Sequence, residues 1–115
     1  MPSVTLTTEV GLQEAIESAR LANKFVFVKF GASWCGPCNK IAPAFEQIGE
    51  KWSDRVRLFT VNADDSMNLM TFYNVKSLPT FLIIFNNEVK LMWKGTKDFE
   101  ATYQKVLLNW TPTNV

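Results

Sequence analysis

Cys35 and Cys38 are the only two cysteines of this 115-residue chain, and their spacing could support chemistry. They lie within the pentapeptide Trp34-Cys35-Gly36-Pro37-Cys38, between an apolar run and a helical pattern. The start of a helix offers unpaired backbone N–H groups and the positive end of a dipole, and both favour a thiolate over a thiol. The placement predicts thiol/disulfide exchange at this pair.

The two residues between the cysteines suit that chemistry. Pro37 lacks a backbone N–H, but an N–H in the first helical turn would be unpaired in any case. Gly36 has no side chain, so it leaves the surface over Cys35 thin. A sulfur atom of another chain could therefore approach Cys35.

Composition and charge argue against several classes of partner and site. A formal net charge of +1 gives no electrostatic reason to expect a nucleic-acid or membrane-surface partner. The chain has no histidine, and two cysteines cannot complete a four-thiolate site, so we expect no metal. No signal-peptide pattern and no membrane-spanning apolar run is visible. We expect a cytoplasmic protein with a single domain, residues 1–115.

Hydrophobic periodicity predicts the element order β-α-β-α-β-α-β-β-α. The predicted strands cover residues 4–7, 25–30, 56–61, 80–85 and 89–93. The run 25–30 is apolar at both parities except at Lys29, which is typical of a central strand covered on both faces. The first three strand-helix alternations imply parallel pairing with right-handed crossovers. The sequence thus predicts an α/β fold with a sheet sandwiched between helices.

Several short signals fix the ends and faces of these elements. Thr8 is a candidate helix cap, Asn74 a left-handed helix end, and Asn86-Asn87 a two-residue hairpin turn. Two aromatic and methionine stripes are interpreted as core: Met67, Met70 and Phe72 on one helix, and Phe99, Tyr103 and Trp110 on another. Adjacent carboxylates without other oxygen ligands specify no metal, so Asp64 and Asp65 are interpreted as a solvated turn.

At this point the chain resembles the thioredoxin family over nearly its whole length. The Trp-Cys-Gly-Pro-Cys motif matches the family's active site, and Pro43 matches its helix-kinking proline. Leu78-Pro79-Thr80 matches the cis-proline segment, and Gly95 a glycine of the substrate groove. The resemblance implies the thioredoxin fold, a central mixed sheet of about five strands flanked by four helices.

The resemblance also implies a mechanism. Cys35 would attack a client disulfide and Cys38 would resolve the mixed disulfide, so the protein would act as a protein-disulfide reductase. Its redox group would be its own disulfide with no bound cofactor. Electrons would come from NADPH through a partner flavoprotein resembling thioredoxin reductase, and the other partners would be disulfide-containing client proteins. The residues implied in substrate binding are Trp34, Gly36, Pro37, Leu78, Pro79 and Gly95.

One departure from the family concerns the position beneath the dithiol. The family normally carries a buried Asp there, but this chain has Lys29, and Thr60 stands where many bacterial members have Lys. We hypothesise that Lys29 either stabilises a thiolate as a cation or accepts the Cys38 proton as a neutral amine. Because lysine has a long flexible stem, its ammonium could instead reach water along the strand.

Two alternative functions remain open from the sequence. A thioredoxin-fold oxidant or isomerase is favoured if Lys29 makes the couple sufficiently oxidising. A non-catalytic binding module would use the groove at Leu78-Pro79 and leave the dithiol unused.

Overall fold

The fold is described from a computed structural model of the chain, which covers residues 2–109. Within these residues the elements follow the predicted order. The strands are β1 (Val4–Leu6), β2 (Phe25–Gly31), β3 (Val56–Asn62), β4 (Thr80–Phe85) and β5 (Glu88–Lys94). The helices are α1 (Glu9–Leu21), α2 (Gly36–Lys51), α3 (Met67–Phe72) and α4 (Phe99–Asn109). Trp110, predicted on the last helix, lies outside the described residues.

The strands form one five-stranded mixed sheet in the order β1-β3-β2-β4-β5. β1, β3 and β2 are parallel, whereas β4 and β5 join in antiparallel fashion. The α/β thioredoxin fold with a mixed sheet and four helices is therefore confirmed. In this register Lys29 lies between Thr60 on β3 and Phe81 on β4, in the middle of the sheet.

Alternation along β2 divides the core into two layers. Val26, Val28 and Phe30 pack with residues of α1 and α3 on one face of the sheet. Phe25 and Phe27 pack with residues of α2 and α4 on the other face. Successive strand residues point to opposite faces, so the odd-numbered positions of β2 face α2. Both faces are buried, as the sequence predicted for a central strand.

The predicted turn and cap residues behave as their chemistry requires. The Thr8 hydroxyl accepts a hydrogen bond from the Gly11 N–H at 2.9 Å and caps α1. Asn74, after α3, has a φ of 54°, which asparagine tolerates better than most residues. Asn86 and Asn87 join β4 to β5 with φ values of 53° and 65°, so both central residues of the hairpin turn have positive φ.

The interpretation of α3 as a core stripe is wrong for two residues. Met67 is 66% exposed and Phe72 is 57% exposed, whereas Leu69 is buried. The helix is only six residues long, so it presents less than two turns to the sheet and only Leu69 points fully inward. Met70 lies between these extremes and packs on the core from its edge.

Candidate active site

The cysteine pair lies where β2 gives way to α2. Cys35 is the N-cap residue of α2, and its sulfur accepts a hydrogen bond from the Cys38 N–H at 3.3 Å. The two residues form a disulfide, with their Cα atoms 5.3 Å apart. A thiolate at this position would receive the same N–H and would face the positive end of the helix dipole. The helix start therefore favours the reactive form of Cys35.

Hydrogen bonds to backbone carbonyls hold the loop before the helix in place. The Cys35 N–H donates to the Ala32 carbonyl at 3.1 Å, and the Asn39 side-chain amide donates to the Ser33 carbonyl at 3.0 Å. A Cβ atom added at Gly31 would lie 3.4 Å from the Cys38 sulfur, so Cys38 occupies the space above this glycine. The helix then runs on through Pro43, which lies in its interior.

One cavity opens beside Cys35, and we call it the outer groove. It has a volume of about 610 Å³. Its lining includes Trp34, Cys35, Met67, Met70 and Leu78. Trp34 is 68% exposed, so the rim of this groove offers a large apolar surface to a partner. Two methionines suit such a surface, because their flexible side chains adapt to different shapes.

Trp34 is held by a residue that the sequence analysis interpreted as part of a solvated turn. Its indole N–H donates to a carboxylate oxygen of Asp64 at 2.9 Å, and the Asp64 N–H donates to the Asn62 side chain at 2.9 Å. β2 and β3 are parallel neighbours, so the loops that follow them meet at one edge of the sheet. The Ala63 N–H accordingly donates to the Gly31 carbonyl at 2.8 Å. The predicted parallel pairing of these strands could therefore have indicated that Asp64 lies near Trp34.

A second cavity opens beside Cys38, and we call it the inner cavity. Its volume is about 270 Å³. Its lining includes Lys29, Gly31, Cys38, Thr60 and Asp65. The two sulfurs of the disulfide thus border different cavities, Cys35 the outer groove and Cys38 the inner cavity.

Lys29 is half-buried on the α2 side of the sheet. Its Nζ atom lies 5.1 Å from the centre of the Phe45 ring, and it forms no ion pair with any described residue. Burial lowers the pKa of Lys29 below its ordinary value, and the charge of Glu46 opposes that shift. Glu46 is itself fixed, because its two carboxylate oxygens accept hydrogen bonds from the Ser3 N–H at 2.8 Å and the Ser3 hydroxyl at 2.6 Å.

The remaining predicted residues fall into two groups. The Leu78–Pro79 peptide bond is cis, as the resemblance implied, and Leu78 lines the outer groove. The Gly95 N–H donates to the Pro79 carbonyl at 2.9 Å, and Gly95 has a φ of 85°, which favours glycine. Gly36 and Pro37 line a separate cavity of about 420 Å³, together with Lys40, Ile41 and Thr96.

Among residues 2–109 no three His, Cys, Asp or Glu side chains come together as a metal site. None of the helices in this part of the chain is long and apolar enough to cross a bilayer. The Cys35–Cys38 pair can cycle between a dithiol and a disulfide.

Comparison with known proteins gives consistent matches. A family model described as Thioredoxin matches residues 3–107. Thioredoxin-T of Drosophila melanogaster is 40% identical over 73 residues, which cover 64% of this chain and 46% of that protein. Thioredoxin of Mycoplasma genitalium is 36% identical over 85 residues, covering 74% of this chain and 81% of that protein. The chain spans less than half the length of several curated relatives that it matches.

A solved structure matches the fold along almost the whole chain. It is the reduced thioredoxin pre-protein of Schistosoma mansoni, with a TM-score of 0.82 and 29% identity. The match covers 96% of this chain and 100% of that one. The matching family model, the fold and the disulfide at the start of α2 agree, and the chain belongs to the thioredoxin family.

Proposed function

We propose that this protein reduces disulfide bonds of client proteins through the Cys35/Cys38 dithiol. The observation that carries the proposal is the position of the pair. The two sulfurs are close enough to bond, and Cys35 lies at a helix start beside an open apolar groove. In the thioredoxin family the redox group is the protein's own dithiol, so the reaction needs no bound cofactor.

The reaction consists of two exchanges. The Cys35 thiolate attacks one sulfur of the client disulfide, and the other client sulfur leaves as a thiolate. The Cys38 thiolate then attacks the Cys35 sulfur of this mixed disulfide, and the second client sulfur leaves. The Cys35–Cys38 disulfide forms, two electrons pass to the client, and protons from the dithiol and solvent neutralise the client thiolates.

Another turnover needs two electrons from outside the chain. The proposed source is NADPH, through a flavoprotein of the thioredoxin-reductase type that reduces the Cys35–Cys38 disulfide. A compartment that keeps thiols reduced suits this cycle, and the cytoplasmic location stays a prediction.

The outer groove is the proposed docking place for the client chain. A client segment lying across Trp34 and Leu78 would bring its disulfide to Cys35. The cis Leu78–Pro79 bond follows Leu78 of the groove, and the Gly95 N–H donates to the Pro79 carbonyl. Gly36 leaves open the approach to Cys35 from above, because nothing lies within 4 Å of the place its Cβ would occupy.

Trapping tests the proposal. A Cys38→Ser variant lacks the resolving sulfur, so it should accumulate mixed disulfides with a disulfide-bonded client, and added dithiothreitol should release them. Cys35→Ser is the matched control and should form no such adduct, because it lacks the attacking sulfur at the helix start beside the outer groove. Equal association of the client with a variant lacking both thiols would contradict the proposal and favour a binding module.

An oxidant or isomerase of the same fold is the second candidate. The observation that favours it is the half-buried Lys29 at the inner cavity, because a cation near a thiolate stabilises the reduced pair and makes the couple more oxidising. Equilibration with glutathione decides between the two. A couple as reducing as about −270 mV, the thioredoxin value, supports the reductase, and one near about −180 mV or above supports the isomerase or oxidant.

A further inference from the structure

We propose that the Lys29 ammonium acts across the inner cavity to stabilise the thiolate of Cys38, so Lys29 is a positioning residue for the resolving step. This inference deepens the proposed function and rests on it for its role in turnover. The effect of Lys29 on the ionisation of the Cys38 thiol can be measured without any client.

The strand geometry places Lys29 and Cys38 on the same side of the sheet. Gly31 and Lys29 are both odd-numbered positions of β2 and face α2, and Gly31 lies directly against the Cys38 sulfur. Lys29 is two residues earlier, which is roughly 7 Å along the strand. The contact of its ammonium with the Phe45 ring of α2 shows that the side chain does extend toward that helix.

The inner cavity connects the two groups. Lys29 and Cys38 both line it, and its volume of about 270 Å³ is large enough for several water molecules. Both residues therefore border one open space, across which the ammonium can act on the sulfur. Cys35 borders the outer groove instead, so the cation acts on the resolving sulfur more than on the attacking one.

Burial lowers the pKa of Lys29, and two neighbouring groups partly offset this effect. The face of the Phe45 ring attracts a cation, and the Glu46 carboxylate raises the pKa of Lys29 against the effect of burial. Thr60 and Phe81, its neighbours on β3 and β4, carry no charge.

Of the other titratable groups that line the cavity, Cys38 is buried and Asp65 is exposed. Solvent screens the charge of Asp65, so it opposes a thiolate only weakly. No described carboxylate forms an ion pair with Lys29, and its charge remains available to a thiolate.

The resolving step depends on this interaction in a predictable way. A tenfold rise in the thiolate fraction of Cys38 below its pKa corresponds to one unit of pKa. Nucleophilicity falls as the pKa falls, with a Brønsted coefficient of about 0.4–0.5, so the net gain in rate is about threefold. At a pH above the pKa of Cys38, the thiol is fully ionised with or without the charge of Lys29. The rate advantage from the lowered pKa then disappears or reverses.

The first experiment isolates the Cys38 thiol. In a Cys35→Ala background, thiolate absorbance is followed against pH with Lys29 present and with Lys29→Met. We expect Lys29→Met to raise the pKa of Cys38 by about one unit, and Lys29→Arg, which keeps the charge, to leave it nearly unchanged. An identical pKa with Lys and Met overturns the proposal. If the Met variant does not fold, Lys29→Gln takes its place.

The second experiment measures the breakdown of a preformed mixed disulfide at Cys35 as a function of pH. We expect Lys29→Met to slow this step about threefold at neutral pH and to match or exceed the parent at high pH. A uniform slowing at all pH values would indicate a purely structural effect and overturn the proposal. Equal slowing in Lys29→Arg and Lys29→Met would assign Lys29 as a neutral base and also overturn it.

Failure of the two proposals can be told apart. If the protein does not reduce client disulfides, the trapping experiment fails while the shift in the Cys38 pKa remains. If Lys29 has no effect, trapping succeeds and the pKa values coincide.

Discussion

Cys35 and Cys38 lie one helical turn apart, yet the cavities that they border differ in kind. The outer groove beside Cys35 is lined largely by apolar side chains, with a mostly exposed tryptophan at its rim. The inner cavity beside Cys38 is smaller, and its lysine is half-buried in the central strand β2, whereas the charged residues of the outer groove, Asp64 and Lys76, are exposed. Under the two proposals, the outer groove receives the client and the inner cavity sets the ionisation of the resolving sulfur.

The two sides are also built from different parts of the fold. α3, the loop after β3 and the Leu78 segment form the outer groove, and these parts lie at the edge of the molecule. β2, β3 and the first turns of α2 form the inner cavity, and these parts belong to the core. Changes on the outer side should therefore alter client affinity with little effect on stability, and changes on the inner side should alter ionisation and stability.

The largest expected effect concerns the outer side. Met67→Gln should raise KM for a disulfide-bonded client about fivefold, because docking would no longer bury an apolar side chain worth about 1 kcal/mol. Phe72→Gln is the matched control, since Phe72 is similarly exposed on α3 but does not line the outer groove. Steady-state kinetics measure KM for both variants. Equal changes in KM for both variants would mean that the groove is not the docking place.

The next effect concerns the anchor that holds Glu46, the carboxylate whose charge acts on Lys29. Ser3→Ala removes the hydroxyl hydrogen bond to the Glu46 carboxylate, 2.6 Å long, and should lower the free energy of unfolding by about 1 kcal/mol. Thr5→Ala, which removes an exposed hydroxyl contact between Thr5 on β1 and Thr60 on β3, should cost about 0.5 kcal/mol or less. Urea denaturation measures both. The account would be wrong if the Thr5 variant were the less stable of the two.

A smaller stability effect is expected at Lys29, with a defined pH dependence. Burial lowers the pKa of Lys29, so the unfolded chain binds more protons and the parent gains stability as pH rises toward the ordinary value of 10.5. Lys29→Met lacks this term and should be about 0.5 kcal/mol more stable than the parent at neutral pH. The difference should shrink as pH rises. Urea denaturation of the oxidised proteins at several pH values tests it, and a constant difference would contradict it.

The smallest effect is expected where Asp64 holds Trp34. Asp64→Asn keeps an oxygen acceptor but removes its charge, so it should weaken the hold on the indole and raise KM about twofold. Asp65→Asn is the control, because Asp65 does not line the outer groove and should leave KM unchanged. If both variants behave alike, the hydrogen bond to Trp34 contributes nothing to client docking.

The fold was largely predictable because its signals are local. Continuous apolar runs on both parities predicted the buried strand β2, and paired asparagines predicted the hairpin turn between β4 and β5. Local patterns also predicted that the cysteine pair lies at the start of a helix. The resemblance added the cis bond before Pro79, which no propensity for a proline in a loop would have given.

The parts that the sequence did not predict depend on contacts between distant segments. Met67 and Phe72 have the composition of core residues, and only the shortness of α3 and its place at the edge leave them exposed. The Asp64 partner of Trp34 lies thirty positions away, and the anchor from Ser3 to Glu46 spans forty-three. Whether Lys29 reaches solvent or stays near α2 is decided by the packing around Phe45, which periodicity does not describe.

One measurement tests the central claim most directly. Fully reduced protein is mixed with an excess of a disulfide-bonded client, without any external reductant, and both partners are analysed for thiols. We expect one Cys35–Cys38 disulfide to form for each client disulfide that is reduced. A client left oxidised, with the Cys35/Cys38 dithiol still reduced, would contradict the proposed function.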